Sequence, residues 1–221
     1  MIFKINGERN SGTNFLYEIL RLNNLPSYQL NIVDKTVFHW KHGIPTKHNK
    51  ELDNRVIDIF IFRELEGWLQ SFYISPYHLT PFHNFTDFLT KNQVSMENDL
   101  LDFRTGDVLN KDDNNKTIFE IREYKFRKIM EYKKENKDVI LVSLSFLQDE
   151  KNLLQFLNML CEQYSVAKPK TFITRLRHTK SKLDEKNRNH NIDINSYRHI
   201  INSKKNKDIE DFINNLNYVR V

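Results

Sequence analysis

Two glycines bracket the segment Gly7-Glu8-Arg9-Asn10-Ser11-Gly12, which runs on into Thr13-Asn14, in a chain with only five glycines. The spacing G-x-x-x-x-G is that of a phosphate-binding loop. Glycine there lets backbone N–H groups approach an anion, and the following helix adds the positive end of its dipole. The residues after the second glycine are Thr13 and Asn14. A loop for ATP or GTP has a lysine there for the outer phosphates and a hydroxyl for magnesium. The segment therefore points to an anion bound without a metal. The plainer alternative is a strand-to-helix turn capped by Ser11 or Thr13.

Arg63 follows the most apolar run of the chain, and Ser71 lies eight residues further on. Open α/β sheets bind ligands at the C-terminal ends of their strands, and a guanidinium fork suits phosphate. A helix between the two residues brings the Ser71 hydroxyl back beside Arg63. The alternative pairs Arg63 with Glu64 or Glu66 and leaves Ser71 as a helix-face residue. A third cluster, His39-Trp40-Lys41-His42-Gly43, sets two imidazoles around a lysine. Imidazole titrates near neutrality and suits proton transfer, whereas the lack of a third ligand at suitable spacing argues against zinc. Its alternative is a loop with two surface histidines.

These clusters need a scaffold. Ile2-Phe3-Lys4-Ile5 alternates apolar and polar residues and stops at Asn6-Gly7, which predicts a short strand. Phe15, Leu16, Ile19, Leu20 and Leu22 then recur at helical spacing until Asn23-Asn24. Thr36 to Trp40 reads as a second strand. Val56 to Phe62 reads as the strongest, a continuous apolar run of the kind buried on both faces. A helix follows through Trp68, Leu69 and Phe72 and closes near Pro76. Residues 77–116 read as a mixed insertion with one short helix around Phe82, Phe85, Phe88 and Leu89. A helix over Ile118 to Asn136, a strand over Asp138 to Ser143, and helices over Glu150 to Tyr164 and Lys207 to Leu216 complete the pattern. Strands alternating with helices predict an α/β fold, a three-layer sandwich around a mostly parallel sheet. Residues 1–221 read as a single domain without internal repeats.

The loop and the Arg63–Ser71 pair together resemble the sulfotransferase family, whose donor is 3′-phosphoadenosine 5′-phosphosulfate (PAPS). The resemblance runs in order over roughly residues 1–165. Phe62 to Ser71, continuing to Pro76-Tyr77-His78, and the later Val139 to Leu147 are part of it. It implies the P-loop NTPase-like fold of that family. Arg9, Asn10, Ser11, Gly12, Thr13 and Asn14 would cradle the 5′-phosphosulfate, and Arg63 and Ser71 would grip the 3′-phosphate. It implies His42 as the base that takes the acceptor's proton, Lys41 as the group that orients acceptor or sulfate, and His39 in reserve. His78 and Glu120-Ile121-Arg122 would lie close to the acceptor. The family's loop usually has a lysine just before Ser-Gly-Thr. Here Asn10 stands in that place, with Arg9 beside it to supply charge. Arg175, Arg177 or Lys180 would cover the nucleotide, on charge alone.

The activity so implied is sulfuryl transfer from PAPS, without a metal, to a hydroxyl acceptor. The 77–116 insertion would shape a pocket for a carbohydrate, a phenol or a peptide tyrosine. One alternative is a nucleoside or nucleotide kinase-like enzyme on the same core, which the missing lysine disfavours. The other is a degenerate member that binds nucleotide without turnover. Trp40, Trp68 and Tyr73 stand either as stacking partners for adenine or as core.

Composition narrows the classes further. With 39% hydrophobic and 29% charged residues in 221, collagen-like, mucin-like and disordered chains are excluded. A net charge of +5 is too mild to imply a nucleic-acid partner, although Lys204-Lys205-Asn206-Lys207 gathers part of it. The single cysteine, Cys161, excludes a disulfide framework and a cysteine-based zinc cluster, and its helical apolar surroundings make it packing. No apolar run approaches the ~20 residues of a membrane span. The N-terminus lacks the features of a signal peptide. A cytoplasmic protein without membrane contact is the expectation.

Overall fold

Strand β1 (Ile2–Gly7) lies at the heart of a five-stranded sheet. Helix α1 (Thr13–Leu22), β2 (Ser27–Tyr28), β3 (Val56–Phe62), α2 (Leu65–Ile74) and α3 (Phe85–Thr90) follow. A two-residue antiparallel pair, β4 (Leu101–Asp102) and β5 (Asp107–Val108), stands apart from the main sheet. Then come α4 (Ile118–Glu135), β6 (Val139–Ser143), α5 (Leu144–Gln148) and α6 (Glu150–Gln163). The C-terminal part is a 3₁₀ turn (Ile194–Tyr197), α7 (Arg198–Lys204), α8 (Lys207–Asn214) and β7 (Tyr218–Arg220). This computed structural model describes residues 1–29, 42–43, 56–76, 82–91, 101–102, 107–108, 116–176 and 192–220. The strand read at Thr36 to Trp40 lies outside them.

The sheet order is β2-β1-β3-β6-β7. β2, β1, β3 and β6 are parallel, and β7 adds antiparallel to β6. Gly7 pairs with Ile61, and Phe62 with Ser143, so β1, β3 and β6 end together. Among the described strands β2 and β3 flank β1 on opposite sides. The strand order therefore reverses at β1/β3, the kind of switch point where doubly wound sheets open a crevice beyond the strand ends. The loop after β1 and Arg63 after β3 both emerge there.

Side chains alternate across the strands. Phe3, Ile5, Ile57, Ile59, Ile61, Ile140 and Val142 face α1 and α6 in one core. Phe60, Phe62, Val139 and Leu141 face α4 and α8 in another. Helices on both faces make the fold a mostly parallel α/β layer structure, as the alternation of strands and helices predicts. A third, aromatic core joins α2 to α3 and the C-terminal turn through Trp68, Phe72, Phe85, Phe88 and Ile194. Phe85 and Phe88 are thus packing residues of this core.

Local signals account for the element ends. Thr117 and Glu120 form a reciprocal capping box on α4, and Asp149 and Asn206 cap α6 and α8. Ser143 ends β6 and caps α5 with its hydroxyl. Among the described residues no helix is long and apolar enough to cross a membrane.

Candidate functional site

The segment between β1 and α1 folds as a tight loop with two left-handed residues, Asn10 (φ 60°) and Gly12 (φ 104°). Ser11 closes it: its N–H and its hydroxyl both donate to the Glu8 carbonyl, at 3.2 and 2.7 Å. Ser11 and Thr13 do not cap α1. The N-cap is Gly12, and no side chain bonds the first turn. The N-terminus of a helix favours an anion through its N–H groups and its dipole. The glycines serve the protein's own packing before any ligand. A Cβ at Gly7 would lie 2.6 Å from the Ile61 carbonyl, and one at Gly12 2.7 Å from Leu144.

Arg63, 26% exposed, turns its guanidinium to this loop, with Nη1 3.4 Å from the Asn10 carbonyl. Its Nε has no hydrogen-bond partner. Glu64 Oε1 is 3.7 Å away, so the Arg63–Glu64 pairing weighed from sequence exists only loosely, while Glu66 pairs with Arg198. Asn10 also meets α2, its amide donating to the Ser75 carbonyl at 3.5 Å. Ser71 lies one turn earlier on α2 and is partly exposed. The loop, Arg63 and the second half of α2 are therefore one neighbourhood. Asn14, exposed at the start of α1, accepts from Gln29 at 3.0 Å.

Arg9 does not stand out in solvent as a substitute cation. It is 9% exposed, and Trp68 Nε1 donates to its carbonyl at 2.8 Å. Trp68 itself is buried, and Tyr73, partly buried, stacks on Phe82, so both pack with the third core. Arg122 is buried and does not close over the site from outside. Glu120 is occupied at the α4 cap. Arg122 Nη1 donates to Glu8 at 2.6 Å, Nε and Nη2 donate to Glu210 at 2.8 and 3.0 Å, and Nη2 also donates to the Arg63 carbonyl at 2.8 Å. Burial works against its charge, but Glu8 and Glu210 outweigh it and raise its pKa. The signal for this placement was available, since Arg122 falls on the same α4 stripe as Ile118, Lys125 and Ile129, all buried.

His42 is buried beside the loop, with Nδ1 2.8 Å from the Gly7 carbonyl. A carbonyl only accepts, so Nδ1 carries the proton and Nε2 is the basic nitrogen of the neutral ring. Lys125 Nζ donates to the His42 carbonyl at 3.1 Å, and with Glu8 and Phe60 these residues line a small recess. His39, Trp40, Lys41, His78, Arg177 and Lys180 lie outside the described residues. Arg175 is paired with Glu150 at 2.7 Å. Cys161 is buried, and burial pushes its thiol pKa up. No family model matches the chain, and no curated protein or solved structure matches it.

Proposed function

We propose that the crevice between β1 and β3 binds a phosphorylated nucleotide donor, PAPS, and that the protein is a sulfotransferase acting on a hydroxyl acceptor. The observation that carries the reading is Arg63, partly exposed, whose guanidinium meets the glycine-bracketed loop at the strand ends. The residues suit anionic groups. The uncapped start of α1 would take one phosphate, and Arg63 with Ser71 the other. Bound PAPS would supply an activated sulfuryl group with a good leaving phosphate. The chain's own work is then positioning and charge stabilisation. His42 holds its Nδ1 proton on Gly7 and offers Nε2 as the base toward an acceptor hydroxyl. Lys41 is assigned to acceptor orientation by the family resemblance.

A second reading, nucleotide binding without turnover, draws on Asn10. It stands in the place of the family lysine, and its amide is engaged with Ser75. Release of 3′,5′-adenosine bisphosphate from PAPS in EDTA, with a phenol, a sugar and a tyrosine peptide as acceptors, separates the two. Sulfuryl transfer predicts acceptor-dependent release, lowered roughly 10²–10⁴-fold in His42→Ala. Bisphosphate binding without release favours the second reading. Release that is equal in His42→Ala removes that histidine from the base role.

A further inference from the structure

Arg122 takes no part in the chemistry above, yet it touches both the loop after β1 and the residue after β3. Glu210 of α8 grips Nε and Nη2 in a bidentate pair, which fixes the plane of the guanidinium. The plane so fixed aims Nη1 at Glu8 in the loop and Nη2 at the carbonyl of Arg63. Trp68 stacks beneath it, 4.6 Å from ring centre to Cζ, and its indole N–H holds the Arg9 carbonyl. One rigid group therefore holds the Glu8 carboxylate and the Arg63 carbonyl directly, and the Arg9 carbonyl through Trp68.

Stability alone does not call for charge at this place. Buried ion networks are often matched or surpassed by apolar residues of similar volume, because desolvation cancels much of the Coulomb gain. A fork with fixed directions does what apolar packing does not: it specifies where its partners sit. We infer that Arg122 is a positioning residue, through which helix α8 sets the geometry of the anion loop and of Arg63. For its effect on ligand affinity this rests on the donor-site reading; for its effect on the loop it does not.

The test uses the triple variant Glu8→Gln/Arg122→Met/Glu210→Gln, which removes the three charges of this network together. Amide hydrogen exchange of residues 9–13 is compared with that of β6, and Ile213→Ala on α8 serves as a purely destabilising control. Positioning predicts loop exchange at least roughly tenfold faster, with β6 protection retained and no selective loop effect in Ile213→Ala. Affinity for 3′,5′-adenosine bisphosphate falls by roughly 5–100-fold even where the melting temperature is restored. Should the triple variant not fold, Glu210→Gln alone carries the same comparison. Unchanged loop exchange in a folded variant overturns the inference. A wild type that ignores the bisphosphate instead removes the donor reading, and loop exchange still decides the role of Arg122.

Discussion

The two faces of the sheet are built differently. Toward α1 and α6, β1 and β3 present only Phe3, Ile5, Ile57, Ile59 and Ile61, all buried. Toward α4, the same strands present Lys4, Asn6 and Asp58 before Phe60 and Phe62, and the three polar residues are buried as well, at 3–4%. Asp58 gathers them, accepting from Asn6 at 2.7 Å and from Tyr132 at 2.9 Å, with Lys4 Nζ 3.7 Å away. Further along that side stand His42, Glu8, Arg122 and Glu210. Apolar burial stabilises without regard to direction, whereas buried charge is tolerated only in defined geometry. The first face therefore supplies stability, and the second supplies the placement of groups at the strand ends.

The largest effect expected on the apolar face comes from Phe156→Ala in α6. It should cost about 3–5 kcal/mol in denaturant unfolding, with bisphosphate affinity unchanged in the folded fraction. A change of affinity at constant fold would break the division between faces. On the polar face, Asp58→Ala takes the acceptor from Asn6 and Tyr132 and a counter-charge from Lys4, and should cost about 3 kcal/mol, with the charge part of it recovered in Lys4→Met/Asp58→Leu. An equal cost in the double variant would mean that packing, not charge, decides there.

A smaller effect, outside both faces, comes from the α4 cap. Thr117→Ala should cost about 1 kcal/mol at pH 7. Hydrogen bonds from the Thr117 backbone and hydroxyl hold the Glu120 carboxyl below its usual pKa. Its contribution is present above the unfolded value of about 4.3 and is lost as pH falls through the lower folded value. The penalty measured by thermal melts should therefore shrink between pH 7 and pH 3.

What was legible in the sequence divides along the same line. The apolar face declares itself by periodicity, so the spans of β1, α1, β3, α2, α4, β6 and α6 follow from local pattern. The polar face does not. Alternation in Ile2-Phe3-Lys4-Ile5 reads as a short buried strand, but the partner that meets the Lys4 charge, Asp58, lies far along the chain. Glu8, Arg122 and Glu210 meet across separations of 88 and 114 residues, which no spacing rule reaches. Strand β7 runs antiparallel at the sheet edge because α8 returns the chain beside β6, which a pattern of alternating strands and helices does not foretell. At the site, glycine spacing pointed to the loop, and the apolar run that precedes Arg63 pointed to that residue. The hydrogen bond that sets the His42 tautomer depends on folding His42 against Gly7.

The most direct measurement is calorimetric titration with 3′,5′-adenosine bisphosphate in EDTA, run beside 5′-AMP and Mg-ATP on wild type and Arg63→Ala. A donor site in the β1/β3 crevice predicts metal-independent binding that requires the 3′-phosphate and weakens roughly 10–100-fold in Arg63→Ala, the worth of a hydrogen-bonded charge. Equal binding of 5′-AMP, or binding of Mg-ATP in its place, would contradict it.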